Sequence, residues 1–232
     1  MKALLLVLAL FCSDSAWAAR SMLQARCEAA MTKTVTLMRA KDNGYSIDNS
    51  RSFRVLTALK APATANAFVL GLTQAQGQLS IGHNGELLRD LLSGDECIIP
   101  KIDVELYYAP IVIYVGSEFA PGTCAYQEIL AHEMRHLKTY LDYLPKVERT
   151  VRKALSDRFD SKPLYARSGQ ASAALKREID SGWMPYMKRE LAMVETQQAA
   201  IDSPAEYARL SRICKGEVQS LIGPANRTRA AR

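Results

Sequence analysis

The sequence predicts an α+β fold, a small mixed sheet followed by a helical C-terminal part. Two observations carry this. Before residue 122 the apolar residues fall in short, β-branched or alternating runs bounded by Gly, Pro and Asn. After Gly122 they recur at the three-to-four spacing of helices. Strands first and helices after is the α+β order. A third observation sets the scale. The chain has 232 residues, 48% hydrophobic and 23% charged. That is enough to bury a core, and too apolar for extended disorder.

The first segment reads as an address. Lys2 precedes an apolar run at 3–11, and Ala16 and Ala18 stand where a signal peptidase reads small residues. A signal peptide over 1–19 is expected, with one domain over 20–224, sheet-rich at 20–122 and helical at 123–224. A basic tail at 225–232 follows. Export places the mature chain in a secreted or periplasmic setting, without a transmembrane segment. Cys12 leaves with the signal, and Cys27, Cys97, Cys124 and Cys214 remain, an even number suited to two disulfides of undetermined pairing. A net charge of +6 survives removal of the signal, which carries one Lys and one Asp. That is mildly basic, and the basic side chains of 146–158 are mixed with Glu148 and Asp157. No nucleic-acid partner is expected.

Along the chain, 32–38 is a short helical or strand-like stretch, and Asp42, Asn43 and Gly44 form a tight turn. Residues 52–59 suit either strand or helix. Strands are expected at 68–73 and 78–81 with a glycine turn between them, and a short helix at 85–92. Strands follow at 102–108 and 111–115, with Pro110 marking a kink or an edge. A strong amphipathic helix covers 125–144 and stops before Pro145. A basic helix then covers 146–159, and others cover 170–180 and 185–201. Ser203, Pro204 and Glu206 form a capping box that opens a last helix.

The chemistry lies in His132-Glu133-Met134-Arg135-His136, an HExxH motif inside the 125–144 helix. Residues four apart share a helix face, so both imidazoles reach one metal ion. Glu133 lies beside them, placed to act as general base toward a water. The chain has three histidines, and two are here. A chance match is expected in on the order of one in several hundred chains of this composition. On a helical wheel, Ile129, Leu130, Met134, Leu137, Leu141 and Leu144 form the core stripe. His132, His136, Tyr140 and Tyr143 fall on its boundary.

HExxH on a helix, preceded by a sheet whose last strand is β-branched, resembles the zincin metallopeptidases. The stretch 111–141 looks like the little-characterised bacterial secreted zinc-dependent proteases. The resemblance implies a zincin-like fold, a Zn2+ cofactor on His132 and His136, Glu133 as base, and a peptide or protein substrate. It also implies that strand 111–115 is an edge that pairs with extended substrate. A catalytic zinc takes three protein ligands and a water. Asp142 has the metzincin count, but Thr139 stands where that pattern has glycine. Glu190, on the apolar stripe of the 185–201 helix, is the chosen third ligand, with Glu178, Asp142 and His83 as alternatives. The expected function is an exported zinc metallopeptidase. The alternative is a non-catalytic envelope binding or structural α+β protein with a vestigial or absent metal site. The sequence does not speak to oligomeric state.

Overall fold

A computed structural model describes residues 21–31, 34–39, 44–60 and 67–222. The expected signal segment and basic tail lie outside them, as do Asp42 and Asn43 of the expected turn. The fold is α+β, built on one strand. β4 (Asp95–Val115) pairs along one edge with β3 (Gly71–Arg89), antiparallel. Its other edge is shared end to end by three shorter strands. β5 (Leu164–Arg167) pairs antiparallel with its start, β1 (Val35–Arg39) parallel with its middle, and β2 (Ser46–Asp48) parallel with its end.

The two expected strand pairs are therefore single long strands, and the expected helix at 85–92 is the end of β3. Local sequence misleads here because 82–86 has no apolar residue to reveal a period. Pairing with 99–103 decides the conformation. Gly85 belongs in a strand because the backbones approach closely: a Cβ there would sit 2.3 Å from the Ile99 carbonyl oxygen. Nor is 111–115 an edge. It lies between β2 and β3, because the register shift between Ala75 and Gly77 absorbs Pro110 as an extra residue in β4 without ending the strand. The free edge belongs to β3, with which no other described strand pairs.

On one face of this sheet lies α3 (Cys124–Phe159), 36 residues long and unbroken at Pro145. Val147, Val151, Leu155 and Phe159 continue the buried stripe of Leu137, Tyr140 and Leu144 into one core with Ile102, Val104 and Leu106. That burial outweighs the roughly 3 kcal/mol an internal proline costs. The carbonyl left without a donor is that of Leu141, on the exposed side.

Two short N-terminal helices complete the sheet-rich part. α1 (Met22–Ala29) is tied to β4 by the Cys27–Cys97 disulfide. α2 (Phe53–Leu59) is capped by Ser52, whose side chain accepts from Val55 N–H. After β5 come α4 (Ala171–Glu178), a π turn at Ile179–Trp183, α5 (Met184–Ala192) and α6 (Val194–Ile201). Then α7 (Pro204–Arg212) and α8 (Glu217–Ile222) follow, joined by a 3-10 turn. The Cys124–Cys214 disulfide ties this last pair to the start of α3. None of the described helices is long and apolar enough to cross a membrane.

Candidate metal centre

Gly122, at φ +87, turns the chain out of the sheet, and Thr123 caps α3 by accepting from Tyr126 N–H. About two turns in, His132, Glu133 and His136 are 5%, 3% and 4% exposed. They lie on the buried face rather than on its boundary, while Leu141, expected in the core, is 39% exposed. The reason is that α3 packs the 129–133–136/137–140–144 line against the sheet. Polar groups inside that line need partners, and each has them.

The acid that closes on both imidazoles is Asp202, which follows α6 and precedes the Ser203 cap of α7. Its Oδ1 lies 3.2 Å from His132 Nε2 and 3.1 Å from His136 Nε2. The two Nε2 atoms are 3.2 Å apart. Lys60, at the end of α2, donates to the other oxygen, Oδ2, at 2.5 Å.

The four acids and histidines considered as third ligand lie elsewhere. Glu190 is half-buried on α5, near Tyr143 and Tyr186, whose hydroxyl pKa values are pushed up by burial first and by the Glu190 charge second. Glu178 accepts from Arg158 at 2.6 Å and from Trp183 Nε1 at 3.2 Å. Asp142 pairs with Lys138 on the wet side. His83 sits on β3 ten residues beyond Thr73, about 33 Å along the strand. The capping-box signal lies beside Asp202. Ser203 Oγ accepts from Glu206 N–H as expected, and the residue just before this cap is Asp202.

Glu206 has a further partner. Its Oε1 lies 3.1 Å from His132 Nδ1, and Arg209 grips the carboxylate through Nε (3.0 Å) and Nη2 (2.9 Å). Arg135 contacts Glu206 as well, and its Nη2 lies 2.7 Å from His132 Nδ1. The Arg209 hydrogen bonds hold the Glu206 carboxyl down at about 2.

Gln198 settles the tautomer of His136. Its Nε2 donates to the His136 carbonyl at 3.1 Å, so its Oε1 faces the ring and accepts from Nδ1–H at 2.6 Å. His136 Nε2 then turns a lone pair toward Asp202 Oδ1. Two acceptors 3.1 Å apart repel unless a proton or a cation lies between them. Burial alone pulls the His136 pKa down, but the hydrogen bond with Asp202 and the nearby carboxylates raise it. Burial alone pushes Asp202 up, yet its bonds with His132, His136 and Lys60 bring it below the usual carboxylate range.

The donor set fits a metal ion of the zinc type. Atoms bound tetrahedrally at about 2.0–2.1 Å lie about 3.3–3.4 Å apart. The His132 Nε2, His136 Nε2 and Asp202 Oδ1 triangle has edges of 3.1–3.2 Å. Each ring also has an acceptor on its outer nitrogen, Glu206 or Gln198, the usual support of a ligating imidazole. With Nε2 of His132 turned to a metal, Nδ1 carries the ring proton and Glu206 accepts it, and the Arg135 guanidinium, itself only a donor, must move off Nδ1 and bond Glu206 alone.

Glu133 stands beside this triangle. Its Oε1 is 3.9 Å from His132 Nε2, and its Oε2 accepts from Thr73 Oγ1 at 2.9 Å. Burial pushes its carboxyl pKa up, against the two imidazoles, which lower it. β3 passes over it at Gly71, where a Cβ would sit 2.7 Å from Oε1. The cluster forms part of the wall of a cavity of about 270 Å³, shared with Phe68, Leu70, Tyr207 and Leu210. Tyr140, by contrast, gives its hydroxyl to Glu195 at 3.0 Å.

No protein-family model, no curated protein and no solved structure matches this chain.

Proposed function

We propose that the chain is an exported zinc-dependent metallopeptidase, with zinc held by Nε2 of His132, Nε2 of His136 and Oδ1 of Asp202. The observation that carries the reading is the triangle of three acceptor atoms, 3.1–3.2 Å on each edge, beside the Glu133 carboxylate and on the wall of a cavity. Two imidazoles and one carboxylate are a catalytic zinc ligand set, which leaves a position for water. When bound, zinc lowers the pKa of a coordinated water to around 7 and polarises the carbonyl under attack.

The chain's own residues supply the rest. Thr73 holds Glu133 Oε2, which leaves Oε1 on the imidazole side as the base. Oε1 takes the proton of the attacking water and returns it to the departing amine nitrogen. Glu206 and Gln198 keep both rings in register, and Lys60 fixes the carboxylate of Asp202. A peptide substrate is supported by the edge of β3 that no other described strand occupies, which runs past the site and offers backbone groups to an extended chain. Two disulfides and the apolar run at 3–11 support export.

The test is metal analysis and peptide cleavage on residues 20–232, beside three variants. About one zinc per chain is expected in the wild type, lost in His132→Ala and Asp202→Ala. Glu133→Gln is expected to keep the zinc and lose cleavage at least 100-fold. A folded wild type that binds no zinc overturns the reading, as does a Glu133→Gln protein that cleaves normally.

A further inference from the structure

β3 has one long open edge. Its even-numbered residues bond inward: the Leu70 carbonyl accepts from Gly116 N–H just before the strand, and Asp90 N–H donates to the Asp95 carbonyl just after it, both at 2.8 Å. Backbone groups alternate along a strand, so the odd-numbered residues from Gly71 to Arg89 turn N–H and C=O outward. The extra residue beside Pro110 belongs to β4, so nothing interrupts this alternation in β3. Among the described residues, no strand lies along the outward groups and no turn or loop bond takes them.

The edge is also unguarded. Proteins blunt an exposed edge with Lys, Pro, an inward charge or a bulge in the edge strand. From Gly71 to Gly85, fifteen residues, β3 holds no Asp, Glu, Lys, Arg or Pro. A peptide at the metal cluster needs only the start of this edge, and residues 77–89 extend it by about 40 Å. Exposed leucines gather toward the far end: Leu87 is 43% exposed, and Leu91 and Leu92, in the turn that follows, are 89% and 98% exposed.

We propose that residues 77–89 form the interface of a two-fold homodimer, this edge pairing antiparallel with the same edge of a second copy. A strand edge is self-complementary about a two-fold axis. With His83 opposite His83, the seven odd-numbered residues 77–89 of each copy pair with two bonds apiece, about fourteen in all. An ordinary interface has about ten. The side chains suit this register. Leu87 falls opposite Leu79, Glu86 opposite Ser80 and Arg89 opposite Gly77, so the open leucine gains an apolar neighbour and no like charges meet. Leu91 and Leu92 of one copy come to the cleft lined by Ala75, Leu79, Leu191 and Ala192 in the other. The axis lies about 33 Å along the strand from Thr73, so the edge at Gly71 and Thr73 stays open in both copies. The inference is independent of the peptidase reading.

Sedimentation equilibrium on residues 20–232 reads the assembly. The wild type is expected to be a dimer at micromolar concentration. Gly82 and Asn84 lie opposite each other across the axis. Gly82 has room for a side chain, the nearest atom standing 3.7 Å from an added Cβ, and Asn84 is exposed. Gly82→Lys with Asn84→Lys is expected to weaken dimerisation at least tenfold, as is Gly82→Glu with Asn84→Glu. An equimolar mixture of the two is expected to restore dimers. A monomeric wild type overturns the proposal. So does a dimer that both charge variants leave intact, or one that mixing does not restore. Should a charge variant fail to fold, His83→Cys carries the test. Bonded partners in an antiparallel pair stand about 5.5 Å apart at Cα, within disulfide reach. Oxidation is expected to link two chains through this cysteine at least tenfold faster than through Gln76→Cys, whose two copies lie far apart in this register. Equal rates overturn the pairing. Zinc content, read separately, is expected to be unchanged in every variant.

Discussion

Gln198 holds His136 at both ends of one residue: its amide oxygen accepts from the ring Nδ1 at 2.6 Å, and its amide nitrogen donates to the same residue's carbonyl at 3.1 Å. The amide is 4% exposed and comes from α6, one turn before Asp202. One helix end therefore supplies the carboxylate that meets both imidazoles and the amide that aims one of them. In Gln198→Leu the volume is kept and both bonds go, leaving Nδ1 and a carbonyl unpaired in the interior. Zinc affinity, read by chelator competition, is expected to fall about 10–100-fold. Unfolding stability in the metal-free protein is expected to drop by about 1–3 kcal/mol. Unchanged zinc affinity would remove Gln198 from the metal centre and leave it a packing residue.

Gly71 tests the placement of Glu133 apart from the ligands. An added methyl meets Glu133 Oε1 at 2.7 Å, Glu133 Cγ and Ile129 Cγ2 each at 2.8 Å, all under ordinary contact distance. Gly71→Ala must push the carboxylate away from Thr73 or lift β3 from α3. Peptide cleavage is expected to fall at least tenfold while zinc content stays near one per chain. Crowding is expected to lower stability by about 1–3 kcal/mol. Loss of zinc would instead show that β3 and the ligand face of α3 move together.

The contrast between these residues shows what sequence pattern could and could not disclose. His132, Glu133 and His136 are legible because a helix fixes their geometry within five residues. Asp202 comes 66 residues after His136, at a non-helical position between two helices (φ −81°, ψ 43°), and no period points to it. Glu190 looked better by burial pattern, because an acid on an apolar stripe implies a partner. Its neighbours prove to be tyrosines on its own and the facing helix. The sheet shows the same limit. Its place before the helices is readable from β-branched runs, but the unbroken β3 depends on a ladder with 99–103 that local residues do not encode. The order of β5, β1 and β2 along one edge of β4 is equally non-local.

Pro145 offers a direct measure of how far packing overrules local preference. The helix runs through it, held by Val147, Val151, Leu155 and Phe159 on the buried side. Pro145→Ala restores an N–H for the Leu141 carbonyl and removes the ring's clash with it. Stability is expected to rise by about 1–3 kcal/mol, read from urea midpoints with an unchanged m-value. A fall in stability would mean that the half-buried Pro145 ring itself contributes packing that alanine does not replace.

Glu96 carries the acid sensitivity of the other end of the molecule. It is 1% exposed on β4, and its Oε1 accepts from Ala171 N–H at 2.8 Å, at the start of α4. Arg89 donates to its Oε2 at 3.1 Å. Backbone N–H groups at and just before the α4 N-terminus, Ala171 first and then Gly169, with help from Arg89, hold its carboxyl down at about 2 against an ordinary 4.5. A depressed folded pKa stabilises fully above the unfolded value and is lost as pH falls through the folded one. The wild type is therefore expected to exceed Glu96→Gln in stability at pH 7 and at pH 5. That advantage should shrink between pH 4.5 and pH 2 and vanish below it. Urea midpoints for both proteins across this window check the sign. A difference independent of pH would assign the role of Glu96 to shape and neutral hydrogen bonding rather than to its charge at the α4 N-terminus.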